Sequence, residues 1–200
     1  MRTLPLFMFF FASALALAAE PGFDLQADLA ARNSQAKAES HCVGEERVVF
    51  TCQIGKRVVS VCASAVLDAN QGYLQYRFGQ LHNVELEIPP KPNYKPSMVG
   101  HMDVLLASSY AMYVRFTKGD YRYYVFSASV RGSNDPETGA STREEPSGVA
   151  VMKNGKIINT LHCASAPFAD NLGAHFLGKA VTTLGFKEDA DPFKIAFPKR

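Results

Sequence analysis

From Glu45 onward the chain alternates apolar and polar residues with period two, the pattern of half-buried strands. Val48, Phe50, Cys52 and Ile54 fall on one face, with Val49, Thr51 and Gln53 on the other. Gly55-Lys56 suits a type II′ turn, since glycine takes positive φ without steric cost, and the return strand runs from Arg57 to Ala63. In that register Cys52 lies opposite Val59, and Cys62 lies opposite Val49 on the other face. A second hairpin pairs Leu74, Tyr76 and Phe78 with Val84, Leu86 and Ile88 across a five-residue loop, which sets Arg77 opposite Glu85. Four prolines between Pro89 and Pro96 cannot continue a central strand and predict a polyproline-like crossover. The third hairpin turns at Gly119-Asp120. It sets Val114 against Val125, Phe116 against Tyr123, Arg115 against Tyr124 and Tyr113 against Phe126. The fourth turns at Asn154-Gly155, the strongest short hairpin signal in the chain.

Between the last two hairpins, Arg131 to Ser147 has no large apolar residue and many turn formers, which predicts a long loop, either functional or disordered. Helical periodicity is clear only late. Leu172, Phe176, Leu177, Ala180, Val181 and Leu184 form one apolar stripe, capped by Asp170 or Asn171 and ended by Gly185. The tail Phe193 to Phe197 reads as an edge strand. The expectation is an all-β antiparallel sandwich or barrel of hairpins, with one C-terminal helix over about 171–184.

The first eighteen residues change the picture of where this chain works. Arg2, an apolar run from Leu4 to Leu17 and the small-residue end Ala16-Leu17-Ala18 read as a secretory signal, too short to span a bilayer. Residues 19–41 are Ala-rich and polar and read as a flexible or loosely helical leader, and 42–200 as a single β domain. The setting is periplasmic or secreted, with no transmembrane segment in the mature chain. Cleavage removes one cation and no acid, taking the net charge from +2 to +1, which argues against nucleic acid as a partner.

In an oxidising compartment the four cysteines read as two disulfides. Their spacings, nine, nine and one hundred intervening residues, lack the short pairs of a zinc site, so neither metal nor cofactor is expected. Cys52 and Cys62 point to opposite faces in the Gly55-Lys56 register and cannot bridge there. Cys163 shares parity with Leu161 and Ile157, toward the core, which favours Cys52–Cys163 and leaves Cys42 for Cys62. A wider turn at 55–59 would reverse that assignment.

No G-x-S-x-G elbow, H-E-x-x-H pair or P-loop occurs, so no catalytic residue is assigned. The best binding candidate is the aromatic and basic face of the third hairpin, with Tyr113, Arg115, Arg122 and Tyr124, against the alternative that these only form a stabilising cross-strand ladder. The run GKRVVSVCAS followed by GYLQYRFG at 72–79 resembles a group of uncharacterised small exported proteins of Gram-negative bacteria. Phe50-Thr51-Cys52-Gln53-Ile54-Gly55 resembles the F/Y-x-C-x-x-G start of periplasmic C-type lysozyme inhibitors, which are small disulfide-bonded β proteins. These features favour an exported, non-enzymatic binding protein, an inhibitor or immunity factor whose partner is another protein or an envelope component. A carbohydrate or peptidoglycan hydrolase and a structural envelope component are the alternatives.

Overall fold

The computed structural model describes residues 25–66, 71–92, 99–106, 109–169 and 187–188. The signal-like segment, the 171–184 helix and the 193–197 strand expected from the sequence lie outside them, as does the second half of the proline crossover, 93–96. The described residues are mostly strand, in two largely antiparallel sheets.

The first sheet holds β1 (Arg47–Ile54), β2 (Arg57–Ala63), β3 (Leu74–Gln80), β4 (Asn83–Ile88) and the short β11 (Phe168–Ala169), in the order β11-β1-β2-β3-β4. The second runs β10-β9-β7-β6-β5-β12, from β10 (Lys156–His162), β9 (Ser147–Lys153), β7 (Tyr121–Asn134), β6 (Ser109–Lys118), β5 (Val99–Leu106) and β12 (Lys187–Glu188). β12 joins β5 in parallel, the exception to the antiparallel pattern.

Turn chemistry sets the pairings. Gly55 at φ 60° joins Ile54 to Arg57, and Gly119 at φ 57° joins Lys118 to Tyr121. Asn154 and Gly155, both at positive φ, form the tight β9–β10 turn. The third hairpin keeps its expected register throughout: Val114 opposes Val125, Phe116 opposes Tyr123, Arg115 opposes Tyr124 and Tyr113 opposes Phe126. The two sheets share one core. Val59, Tyr76 and Ile88 come from the first, and Val114, Phe116, Val125 and Val149 from the second. The Tyr76 ring lies 5.7 Å from that of Phe116.

Three bulges revise the expected registers. One between Val48 and Phe50 puts Cys62 opposite Val48 rather than Val49. One between Phe78 and Gly79, together with a β3–β4 turn of two residues, Leu81-His82, rather than five, sets Arg77 opposite Glu87 rather than Glu85, which pairs instead with Arg57 at 2.9 Å. One between Ile157 and Asn159 breaks the parity assumed along β10, so Ile157 opposes Met152 while Leu161 opposes Val149. Each adds one residue to one strand, which alternation alone cannot reveal. The expected 131–147 loop is a hairpin: β7 continues to Asn134, and β8 (Ser141–Glu144) returns beside it. Asp135 makes the turn. Its carboxylate accepts from the Glu137 and Thr138 N–H groups and the Thr138 hydroxyl, and its N–H donates to Ala140 at 2.7 Å.

The leader, expected to be flexible or loosely helical, carries a helix, α1 (Leu25–Ala38). The chain after it docks on the outer face of the first sheet. Cys42 is bonded to Cys62, Ala36 and Val48 close around them, and Lys37 donates to the Gly44 carbonyl. Beside this sits a buried polar clasp. The Arg77 guanidinium donates to both Glu46 carboxylate oxygens at 2.6 and 2.7 Å, to the His41 carbonyl at 2.6 Å and to Gln75 Oε1. Tyr73 Oη and the Val43 N–H also donate to Glu46, each at 2.7 Å.

Burial alone would push the Glu46 carboxyl up, but the Arg77 hydrogen bonds, with those of Val43 and Tyr73, outweigh it and hold it low. Burial also lowers the His41 imidazole, against the carbonyls of Gly79 and Val58 that favour its charged form, and Arg77 adds to the lowering. Both groups have folded pKa values below their unfolded ones. Each therefore adds stability that is present above its ordinary value and lost as pH falls through the folded one. The urea midpoint is expected to fall as pH drops below 6.5, where His41 of the unfolded chain begins to charge, and again below 4.5, where Glu46 of the unfolded chain begins to protonate while the folded groups do not yet. Glu46→Gln should shrink the second step, to which Asp135 in its turn also contributes, and leave the first, read from midpoints measured across that range.

Candidate functional site

The second sheet carries the four candidate binding residues on the face turned away from the shared core. Tyr113 and Tyr124 are buried there, at 2% and 5% exposure, with Phe126 and Ala150, and their rings meet edge to face at 5.2 Å. Arg115 is half-buried with Nη1 3.1 Å from Thr117 Oγ1, and Arg122 is exposed. The hairpin thus brings the four residues onto one face, and only the two arginines reach solvent to a useful degree.

A cleft of about 560 Å³ lies elsewhere, between the end of β8 and the chain leaving β10. Arg143, Glu144, Glu145 and Ser147 line one wall, and His162, Cys163 and Ser165 the other. Backbone hydrogen bonds fix both walls. Cys163 N–H donates to Ser147 O at 3.0 Å, Ala164 N–H to Gln53 O at 2.8 Å, and Ala128 N–H to Pro146 O at 3.0 Å. Arg143 Nε donates to Ser129 Oγ at 2.9 Å, and the His162 ring stands edge-on to Phe126. Cys52–Cys163 ties the second wall to β1.

Such a cleft offers a cationic donor at Arg143, carboxylate acceptors at Glu144 and Glu145, and neutral polar groups to a ligand. Its two carboxylates come from consecutive residues on one wall, not from opposite sides as in carboxylate-pair hydrolases. Among the described residues one cluster has metal-type donors, Cys42, Glu46 and Cys62. Its sulfurs are bonded to each other and its carboxylate to Arg77, which leaves no ligand for an ion. Both disulfides, Cys42–Cys62 and Cys52–Cys163, are those the sequence favoured. The cleft escaped sequence reasoning because its walls are far apart in the chain. The turn-rich 131–147 segment was the one signal of it.

Gly148 lies opposite the cleft residue His162 in the β9–β10 ladder. It sits at φ 153°, and a Cβ there would strike the Leu161 carbonyl oxygen in the β9–β10 ladder. Gly148→Ala is expected to cost about 1–3 kcal/mol and to loosen β10, read by urea unfolding and by faster amide exchange in residues 156–162.

No family model, curated protein or solved structure matches this chain. Among the described residues no helix is long and apolar enough to cross a membrane.

Proposed function

We propose that this chain is an exported, non-enzymatic binding protein of the periplasm. It acts as an inhibitor or immunity factor against an envelope-attacking enzyme, on a two-sheet sandwich. One observation carries this reading: the β7–β8 arm. From Arg131 to Glu145 no residue is buried, yet the arm is ordered by a strand ladder and the Asp135 turn. A polar hairpin that serves no core is costly to order unless something outside the chain uses it. The cleft at its root supplies a second contact region. Two disulfides hold the scaffold rigid, which lowers the entropy lost on binding.

The test is capture of cell-wall hydrolases and secreted toxins by the full chain and by a variant with residues 133–142 replaced by Asn-Gly. The full chain is expected to capture a hydrolase or toxin, and the shortened arm to lose it by tenfold or more (about 1.4 kcal/mol) with both disulfides intact. No capture by the full chain, or equal capture by both, overturns the reading. The hydrolase alternative rests on Glu144, Glu145 and His162 in the cleft. Turnover of peptidoglycan that is lost in Glu144→Gln would establish it instead.

A further inference from the structure

We infer that Cys52–Cys163 is an exchangeable disulfide, open at Cys163 to a low-molecular-weight thiol entering the cleft, whereas Cys42–Cys62 is closed to exchange. The inference does not depend on the binding reading. Burial separates the two bridges. Cys42 and Cys62 are 6% and 0% exposed and lie beneath Ala36 and Val48. Cys52 is 7% exposed within the shared core. Cys163 alone is half-buried, and it lines the cleft of about 560 Å³. Thiol–disulfide exchange requires a thiolate to approach one sulfur of the bridge, so access decides which sulfur is attacked.

The walls suit a thiol that carries both charges. Arg143 can receive a carboxylate, and Glu144 and Glu145 an ammonium group. Backbone bonds from Cys163 to Ser147 and from Ala164 to Gln53 hold Cys163 in the wall during approach. In the first step the thiolate attacks Cys163 Sγ. A bond forms between the thiol sulfur and Cys163, the Cys52–Cys163 bond breaks, and the electron pair leaves on Cys52, which takes a proton from water. A second thiol then attacks the mixed disulfide at the sulfur of the first. It releases the oxidised thiol, and Cys163 leaves as a thiolate. Two thiols are oxidised and one protein disulfide is reduced. Opening the bridge removes the covalent tie between the cleft wall and β1 and leaves only hydrogen bonds such as Ala164 N–H to Gln53 O to hold it, so a thiol of this class would loosen the cleft.

Glutathione is the probe. The folded, oxidised chain is incubated with it, quenched by alkylation and mapped by mass spectrometry. The expected product is a glutathione adduct on Cys163 with alkylated Cys52 and an intact Cys42–Cys62. Ser165→Trp and, independently, Ala166→Phe fill the cleft and should slow that adduct by about tenfold or more, since access governs the rate. In urea, where the cleft is gone, all variants should react alike. A first adduct on Cys52, Cys42 or Cys62, reaction of all four cysteines together at the rate of global unfolding, or an unchanged rate in both filled variants overturns the inference.

Discussion

Arg77→Met is expected to cost about 3–5 kcal/mol, because it leaves a buried carboxylate without its partner. Arg77 and Glu46 each have side chains only 6% exposed, and their closest approach is 2.6 Å. Without the guanidinium, Glu46 keeps only neutral donors, from Val43 and Tyr73, and the His41 carbonyl and Gln75 Oε1 lose theirs. Against a typical total of about 5–15 kcal/mol, this is a third of the stability or more. Arg77→Lys should recover only part of the loss, since an ammonium group cannot span both carboxylate oxygens and the two carbonyl acceptors at once. Adding Glu46→Gln to Arg77→Met should restore stability relative to the single variant by removing the stranded charge. Urea unfolding of the three variants measures all of this. A loss below about 1 kcal/mol in Arg77→Met would show that solvent reaches the clasp and screens it.

The elements legible in the sequence are those whose residues carry their own instructions. Gly119-Asp120 and Asn154-Gly155 set their turns by backbone preference, and from the first the β6–β7 pairing follows residue by residue. The pairing of cysteines was legible for the same reason: Cys52 and Cys62 face opposite ways whether Cys62 sits beside Val48 or Val49. What was not legible depends on partners distant in the chain. Helix α1 has no apolar stripe of its own, and its C-terminal end is held through Ala36, Lys37 and the Cys42–Cys62 bridge. The β7–β8 arm lacks alternation because neither of its faces meets a core. Arg77 reads as an ordinary solvent-facing strand residue until Glu46, His41 and Gln75 are brought around it. The cleft needs residues 143–147 and 162–166 together, and no local pattern announces it.

The loss of Cys52–Cys163 is expected to cost more than the loss of Cys42–Cys62. The bridges close sequence separations of 111 and 20 residues. In the chain-entropy model these separations give about 4.8 and about 3.3 kcal/mol, because the longer loop denies the unfolded chain more conformations. Packing does not separate them in the same way: serine places hydroxyls beside apolar neighbours at both bridges, at Cys52 in the shared core and at Cys42 and Cys62 beneath Ala36 and Val48, so the ranking rests on loop entropy. The local consequences should differ too. Cys52→Ser/Cys163→Ser frees the end of β10 and the chain leading to β11, so amide protection should fall first at positions 163 and 164, whose N–H groups bond Ser147 and Gln53. Cys42→Ser/Cys62→Ser leaves Arg77 holding Glu46 and the His41 carbonyl, so the segment after α1 should remain docked at neutral pH and detach on acidification. Equilibrium unfolding of the two double variants, with amide exchange read by residue, gives both the order and the sites. If the Cys42–Cys62 variant is the less stable of the two, loop entropy is not what ranks these bridges, and the burial of Cys62 among Ala36, Cys42 and Val48 outweighs it.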